Sequence, residues 1–170
     1  MKKAVNLYFP IWDMTADYIV NAMEESEGDE FTMRINSPGG DVFAGYGIAS
    51  KMREMESKVI AKVDGIAASM AGLLLLFADE VHMGTQARVM IHRADARVDD
   101  EEGQAFLDGV NADLKEMLKA RIDNAKLKEL KGVSLRQIFD PEQRIDVWLN
   151  AKEAKAVGLI DKVIKQKPTK

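Results

Sequence analysis

In the first half of this 170-residue chain, short apolar segments of strand character alternate with segments of helical period, joined by only a few residues each. A chain built this way has few options. Strand, helix and strand in close succession predict a mostly parallel sheet with right-handed βαβ crossovers, hence an α/β fold. Residues 4–9 alternate loosely and read as a strand stopped by Pro10. Asp13 or Thr15 can cap a helix over about 15–25, with Ile19, Ala22 and Met23 on its inner face. A second strand covers 31–35, the run Ser37 to Asp41 breaks the chain, and a helix follows over about 42–56. A third strand, 59–63, is expected to end at Gly65. The helix after it, 67–78, is apolar nearly all round and should be buried. Strands near 80–83 and 87–91, a helix near 151–157 and a strand over 159–164 complete one domain over 1–164, followed by a polar tail at 165–170.

Residues 99–130 differ from the rest. They are long, charged, and carry Leu107, Val110, Leu114, Met117, Leu118 and Ile122 at helical spacing. Two arrangements fit: a surface helix packed on its own domain, or a handle reaching beyond it. The length favours the handle, whose exposed stripe would then need a second copy of the chain to cover it.

Composition narrows the function. The net charge of −4 argues against a dedicated nucleic-acid binder. The absence of cysteine removes disulfides, thiolate zinc sites and a cysteine nucleophile, and two histidines cannot make a three-histidine metal site. The longest strongly apolar run, 70–78, is too short to cross a bilayer, and no signal-peptide pattern opens the chain, so a cytoplasmic protein is expected.

Three segments could carry chemistry. In Gly65-Ile66-Ala67-Ala68-Ser69-Met70 a serine stands at the start of a helix, among small residues that let a substrate approach. There it can be a nucleophile beside N–H groups suited to an oxyanion, or simply a helix cap. Asn36-Ser37-Pro38-Gly39-Gly40-Asp41 can expose backbone N–H groups or be a tight turn; it lacks the Gly-Lys-Ser/Thr of a phosphate loop. His92, where a strand leaves the sheet, suits a general base, whereas His82 lies mid-strand and reads as structural. A carboxylate to orient the imidazole must come from 28 acidic residues. Asp146, just before Val147-Trp148-Leu149, is slightly favoured by position, and Asp64, Asp95 and Asp140 stay open.

Together these segments resemble the Clp protease proteolytic subunit family. Asn36 to Gly40, Gly65 to Met70, Arg88-Val89-Met90-Ile91-His92 and the run Ala151 to Asp161 match its signatures in order, so the resemblance spans about residues 4–164. It implies a Clp/crotonase-like fold with a protruding helical handle, and serine endopeptidase activity. It also implies Ser69 as nucleophile, His92 as base, Asp146 as the orienting acid, and the N–H groups of Gly40 and Met70 as oxyanion donors. A peptide substrate would pair near Gly39 and Gly40, with no metal or organic cofactor. The implied assembly is a homo-oligomer, a heptameric ring that can stack into a double ring.

Departures from the family pattern select a subtype. The first strand is expected to begin at residue 4, which would leave no room for an N-terminal gate segment. Ile145 and Val147 replace the charges that usually flank the aspartate, and Arg93-Ala94 follows His92 in place of Gln-Pro. These features are more similar to the head maturation proteases of tailed phages, which need no AAA+ unfoldase, than to the housekeeping subunits that work with one. Outside the peptidases, a crotonase-like acyl-CoA enzyme and a catalytically inactive assembly protein could share the fold.

Overall fold

The computed structural model describes residues 3–26, 28 and 30–165. Residues 1 and 2 of the expected domain, and the polar tail from residue 166 onward, lie outside the described residues. The remaining chain forms a mixed, mostly parallel sheet with helices between its strands, an α/β fold. Its path is β1 (Lys3–Leu7), α1 (Asp13–Glu24), β2 (Glu30–Ser37), α2 (Val42–Glu54), β3 (Lys58–Ala68) and α3 (Met70–Leu73). A 3-10 turn over Leu74–Phe77 leads into β4 (Glu80–Gly84) and β5 (Arg88–Ile91). Three helices follow, α4 (Glu101–Lys119), α5 (Asn124–Lys131) and α6 (Leu135–Ile138), then β6 (Val147–Asn150), α7 (Ala151–Ala156) and β7 (Lys162–Ile164).

Strands β1, β2, β3, β4 and β7 lie side by side in that order, all parallel. β3 is the spine. Its lower part pairs with β4 through Ile60 to Val63, and its upper part, Ile66 to Ala68, changes partner to β5. The expected stop at Gly65 and a helix beginning at Ala67 are therefore corrected: the strand runs on to Ala68. Gly65 serves a different purpose. A Cβ there would sit 2.5 Å from Asn36 Oδ1, the atom that accepts the Ile66 N–H at 3.1 Å and ties the irregular end of β2 to β3. The apolar run beyond is buried except for half-buried Leu76 and Phe77, and only Met70–Leu73 of it is α-helical.

The first helix begins at Asp13, earlier than expected, and Asp13 is not its cap. Thr15 Oγ1 accepts the Trp12 N–H at 2.8 Å, so Thr15 reaches back from the first turn. β6 was not expected as a strand. It pairs antiparallel with β5, the one reversal among the described strands.

Residues 99–130 are not one long arm. Asp100 caps α4 through the Gly103 N–H, the helix ends at Lys119, and α5 and α6 fold after it. Leu107, Leu114, Leu118 and Ile122 are buried, with Leu114 only 1% exposed, and Val110 and Met117 pack partly buried against the core. The stripe faces the chain's own body. An exposed apolar face needing a second copy is thus corrected, because burying these side chains internally already removes their surface from water.

Candidate active site

Three strand ends converge at one point, and the sheet register explains why. Ala68 pairs with Met90, and the Ser69 N–H donates to Met90 O at 3.0 Å, so Ser69 emerges beside the end of β5. Ile91 pairs with Val147, which leaves His92 and Asp146 facing each other just past the end of the β5–β6 ladder. On the far side of β3, Ser37 pairs with Ala67 and brings Gly39 and Gly40 alongside Ser69.

Ser69 sits at the corner between β3 and α3 with φ 54° and ψ −127°. Among the described residues it is the one non-glycine residue with positive φ. Such a conformation costs roughly 1–3 kcal/mol and persists only where its surroundings enforce it. The helix-cap alternative is not what the side chain does: it makes no capping bond. Its Oγ lies 2.7 Å from His92 Nε2. A proton on Nδ1 leaves Nε2 free to accept the Ser69 hydroxyl, the orientation a general base requires.

His92 Nδ1 and Asp146 Oδ1 are 3.6 Å apart, within ion-pair reach but longer than a hydrogen bond. Asp146 is 53% exposed, against 24% for His92. Burial pushes the His92 pKa below the ordinary histidine value; Asp146 opposes this, the Arg144 guanidinium adds to it, and Asp95 opposes it. The other candidate carboxylates have partners of their own. Asp64 holds Arg34 through two contacts of 2.8 Å and accepts the Tyr8 hydroxyl at 2.6 Å. Asp140 organises a turn through Glu142 and Gln143, and Asp95 pairs with Arg144. His82 lies 2.8 Å from Glu80, a carboxylate that also binds Lys58 and Lys162 and is thereby held well below the usual carboxylate range. It stands in a strand-to-strand charge network apart from the serine.

The glycine pair is required by packing. Gly39 and Gly40 have φ of 89° and 152°. A Cβ on Gly39 would lie 2.8 Å from Ser69 Cβ and 2.9 Å from the Met70 nitrogen, and one on Gly40 would lie 2.1 Å from Ile11 O. Ile11 holds the loop by donating to Gly39 O and accepting from the Asp41 N–H, at 2.9 and 2.8 Å. Buried Ser37 fixes it from beneath, donating to Phe9 O at 2.6 Å and accepting the Gly39 N–H at 3.2 Å. The Gly40 N–H and the Met70 N–H, the latter in the first turn of α3, form no hydrogen bond among the described residues. They are donors left for a ligand.

Ser69 and His92 open onto a cavity of about 570 Å³. Its wall includes Met70, Leu73, Leu107, Val110 and Leu114, so half of the α4 stripe lines the cleft. Exposed Trp12, Phe43 and Phe106 stand at its rim, the two phenylalanine rings stacked at 5.8 Å. The sequence points to Met70, Leu107, Val110 and Leu114 and to Ser37 in its glycine-rich motif, but not to their places in a cleft wall or beneath the loop. Leu73, Trp12, Phe43, Phe106, Asn111 and Arg144 have no sequence signal that marks them for the site. No group of three or more His, Cys, Asp or Glu among the described residues could hold a metal ion, and none of the described helices is long and apolar enough to cross a membrane.

Comparison with known proteins gives the family. The family model for Clp protease matches residues 2–167. An ATP-dependent Clp protease proteolytic subunit of Bacteroides fragilis is 32% identical over 161 residues, covering 89% of this chain and 75% of the relative. The proteolytic subunit 1 of Prochlorococcus marinus subsp. pastoris is 35% identical over 149 residues, covering 86% and 73%. A strand-end serine bonded to a histidine, set beside two free backbone donors, is chemistry such a family can use, and the chain belongs to the Clp protease family of serine-type peptidases.

Proposed function

We propose that the protein is an endopeptidase in which Ser69 attacks the scissile carbonyl, His92 takes and returns the proton, and Asp146 orients the imidazole. The observation that carries this reading is the 2.7 Å contact between Ser69 Oγ and His92 Nε2 at a strained strand–helix corner. The tetrahedral oxyanion is received by the N–H groups of Gly40 and Met70, each worth about 3 kcal/mol if removed. An extended substrate pairs along Gly39 and Gly40, and its side chain enters the apolar cavity walled by α4. No metal or cofactor takes part.

Clp proteases act on protein substrates and form oligomeric rings. We infer the same for this chain, as a heptameric ring able to stack in pairs. The ring reading rests on family membership, since the α4 stripe is internal. Ile145 and Val147, standing where charges flank the aspartate in the resembling family, favour the phage head maturation subtype acting on scaffold and capsid proteins. The ATP dependence of the two relatives favours the housekeeping reading, in which an ATP-driven unfoldase feeds the chamber.

Labelling with a serine-directed fluorophosphonate tests the chemistry. Covalent modification at Ser69, abolished in Ser69→Ala and His92→Ala, supports the peptidase. An unlabelled, folded wild type would favour a crotonase-like acyl-CoA enzyme or an inactive assembly protein. Native mass spectrometry across a concentration series reads the ring, and ATP-dependent degradation of a folded substrate with a Clp ATPase separates the two subtypes.

A further inference from the structure

The segment 92–100, which carries His92, has no regular secondary structure, and something other than a ladder must hold it. Asn111 on α4 reaches it from one side. It is one of three buried polar residues among the described residues, 5% exposed, and every bond it makes serves the backbone. Its Oδ1 accepts the Ala94 N–H at 2.7 Å, while its Nδ2 donates to Ala94 O at 3.0 Å and to Leu107 O at 3.0 Å. A single planar amide thus reproduces the two-way exchange of a strand pair. On the other side of the segment, Arg93 Nη1 donates to Pro141 O at 3.0 Å and Asp95 pairs with Arg144. Those two contacts join it to the stretch that leads to Asp146.

We propose that Asn111 is a positioning residue: by gripping Ala94, two residues beyond His92, it fixes the imidazole against Ser69 and couples the histidine to the α4 wall of the cavity. Only an amide of this length satisfies both Ala94 groups. Aspartate would set a carboxylate against the carbonyls of Ala94 and Leu107, and leucine would leave a partly buried N–H and C=O unpaired. Freed at Ala94, the segment swings on its contacts to the 141–144 stretch, and the Ser69–His92 contact lengthens. This inference rests on the Ser69–His92 reading above.

The test uses the full chain and the rate at which a fluorophosphonate labels Ser69 as a function of pH. That rate reports serine activation by the neutral imidazole without depending on substrate binding. A displacement near 1 Å can cost about 100-fold, so Asn111→Leu should label about 10- to 100-fold more slowly on the alkaline plateau. Its acid limb should also move up toward the ordinary histidine value, because a loosened imidazole regains water. Asp146, Asp95 and Arg144 face His92 and are unchanged in this variant, so the movement reports hydration. Leu118→Ala is the control for a merely structural role. Leu118 is fully buried on the same helix and outside the cavity lining, so this variant should lower the melting temperature while leaving rate and acid limb in place. An Asn111→Leu protein that is folded and labels like wild type overturns the inference alone. So does a loss that Leu118→Ala reproduces at equal folded fraction. A wild type that does not label at Ser69 overturns the catalytic reading and this inference with it.

Discussion

The two halves of the candidate site are held in opposite ways. Ser69 is held by backbone: β3 runs beneath it, Met90 O takes its N–H, and the Gly39–Gly40 loop packs against it too closely for any Cβ. His92 and Asp146 lie just past the ends of their strands and are held by side chains, through Asn111, Arg93 and the Asp95–Arg144 pair. Backbone packing can enforce a strained geometry, as it does at Ser69. Clips between side chains are separable and partly wet. The nucleophile and the donors beside it are therefore rigid, while the base and its acid are adjustable.

The largest expected effect tests the rigid half. Ser69→Ala should reduce peptide turnover by about 10⁴- to 10⁶-fold, with the fold intact. Ser69→Gly should be equally inactive yet at least as stable as the alanine variant, since glycine accepts positive φ without strain. An exchange of about 1 kcal/mol in that direction is expected from relief of strain. Thermal melts of the two purified variants read it. A glycine variant clearly less stable than the alanine variant would mean that the corner is not strained.

The adjustable half should respond less steeply. Asp146→Asn no longer favours the tautomer with the proton on Nδ1, a change that can cost about 10⁴-fold where the acid is buried and hydrogen-bonded. Here the contact is 3.6 Å and the carboxylate half exposed, so a smaller loss is expected, about 10²- to 10⁴-fold in turnover and less than for Ser69→Ala. Asp64→Asn and Asp140→Asn should leave turnover near wild type, because their carboxylates serve Arg34 and a local turn. Turnover measured at matched folded fraction decides. A severe loss in either of those two would remove Asp146 from its assigned role.

The same division explains what could be read before the fold was known. The pattern of β1 to β5 with their helices is legible because each strand is a short apolar run and each helix keeps its period. Ser69, His92 and the glycine pair are legible because each stands where such a segment ends. Legibility fails where tertiary contacts override local signals. Gly65 looks like a strand terminus, and its actual reason, room for Asn36 Oδ1, lies 29 positions away in the sequence. The α4 stripe has the right period, but period alone does not say whether the face meets the chain's own core or another copy. β6 has four residues and an exposed Trp148, too short to show alternation. Asn111 and Arg144 carry no local signal at all, because an asparagine on a helix and an arginine in a loop are ordinary surface residues until a partner segment packs against them.

The finest test of the adjustable half is electrostatic. A general base must be neutral to act, so a lowered His92 pKa extends activity to lower pH. The wild-type acid limb is therefore expected below about 6.5, the ordinary histidine value. Arg144 contributes to that lowering, and it also occupies Asp95, which would otherwise favour the imidazolium more freely. Replacing Arg144 with glutamine removes a repulsion and releases an attraction, and both changes raise the His92 pKa. The acid limb of kcat/KM for Arg144→Gln should then move up in pH, with rate lost on the acid side and the alkaline plateau preserved. Because the Arg144 side chain is 80% exposed, solvent and salt screen its field. The displacement should accordingly be clear at low ionic strength and shrink at about 1 M salt, where the screening length falls to about 3 Å. A limb that stays in place at low salt, or moves down, would mean that the Asp95–Arg144 pair leaves the histidine's charge balance untouched. A lowered plateau would mean that the pair holds His92 in position as well as tuning it, and the histidine side would then be less adjustable than its exposed contacts suggest.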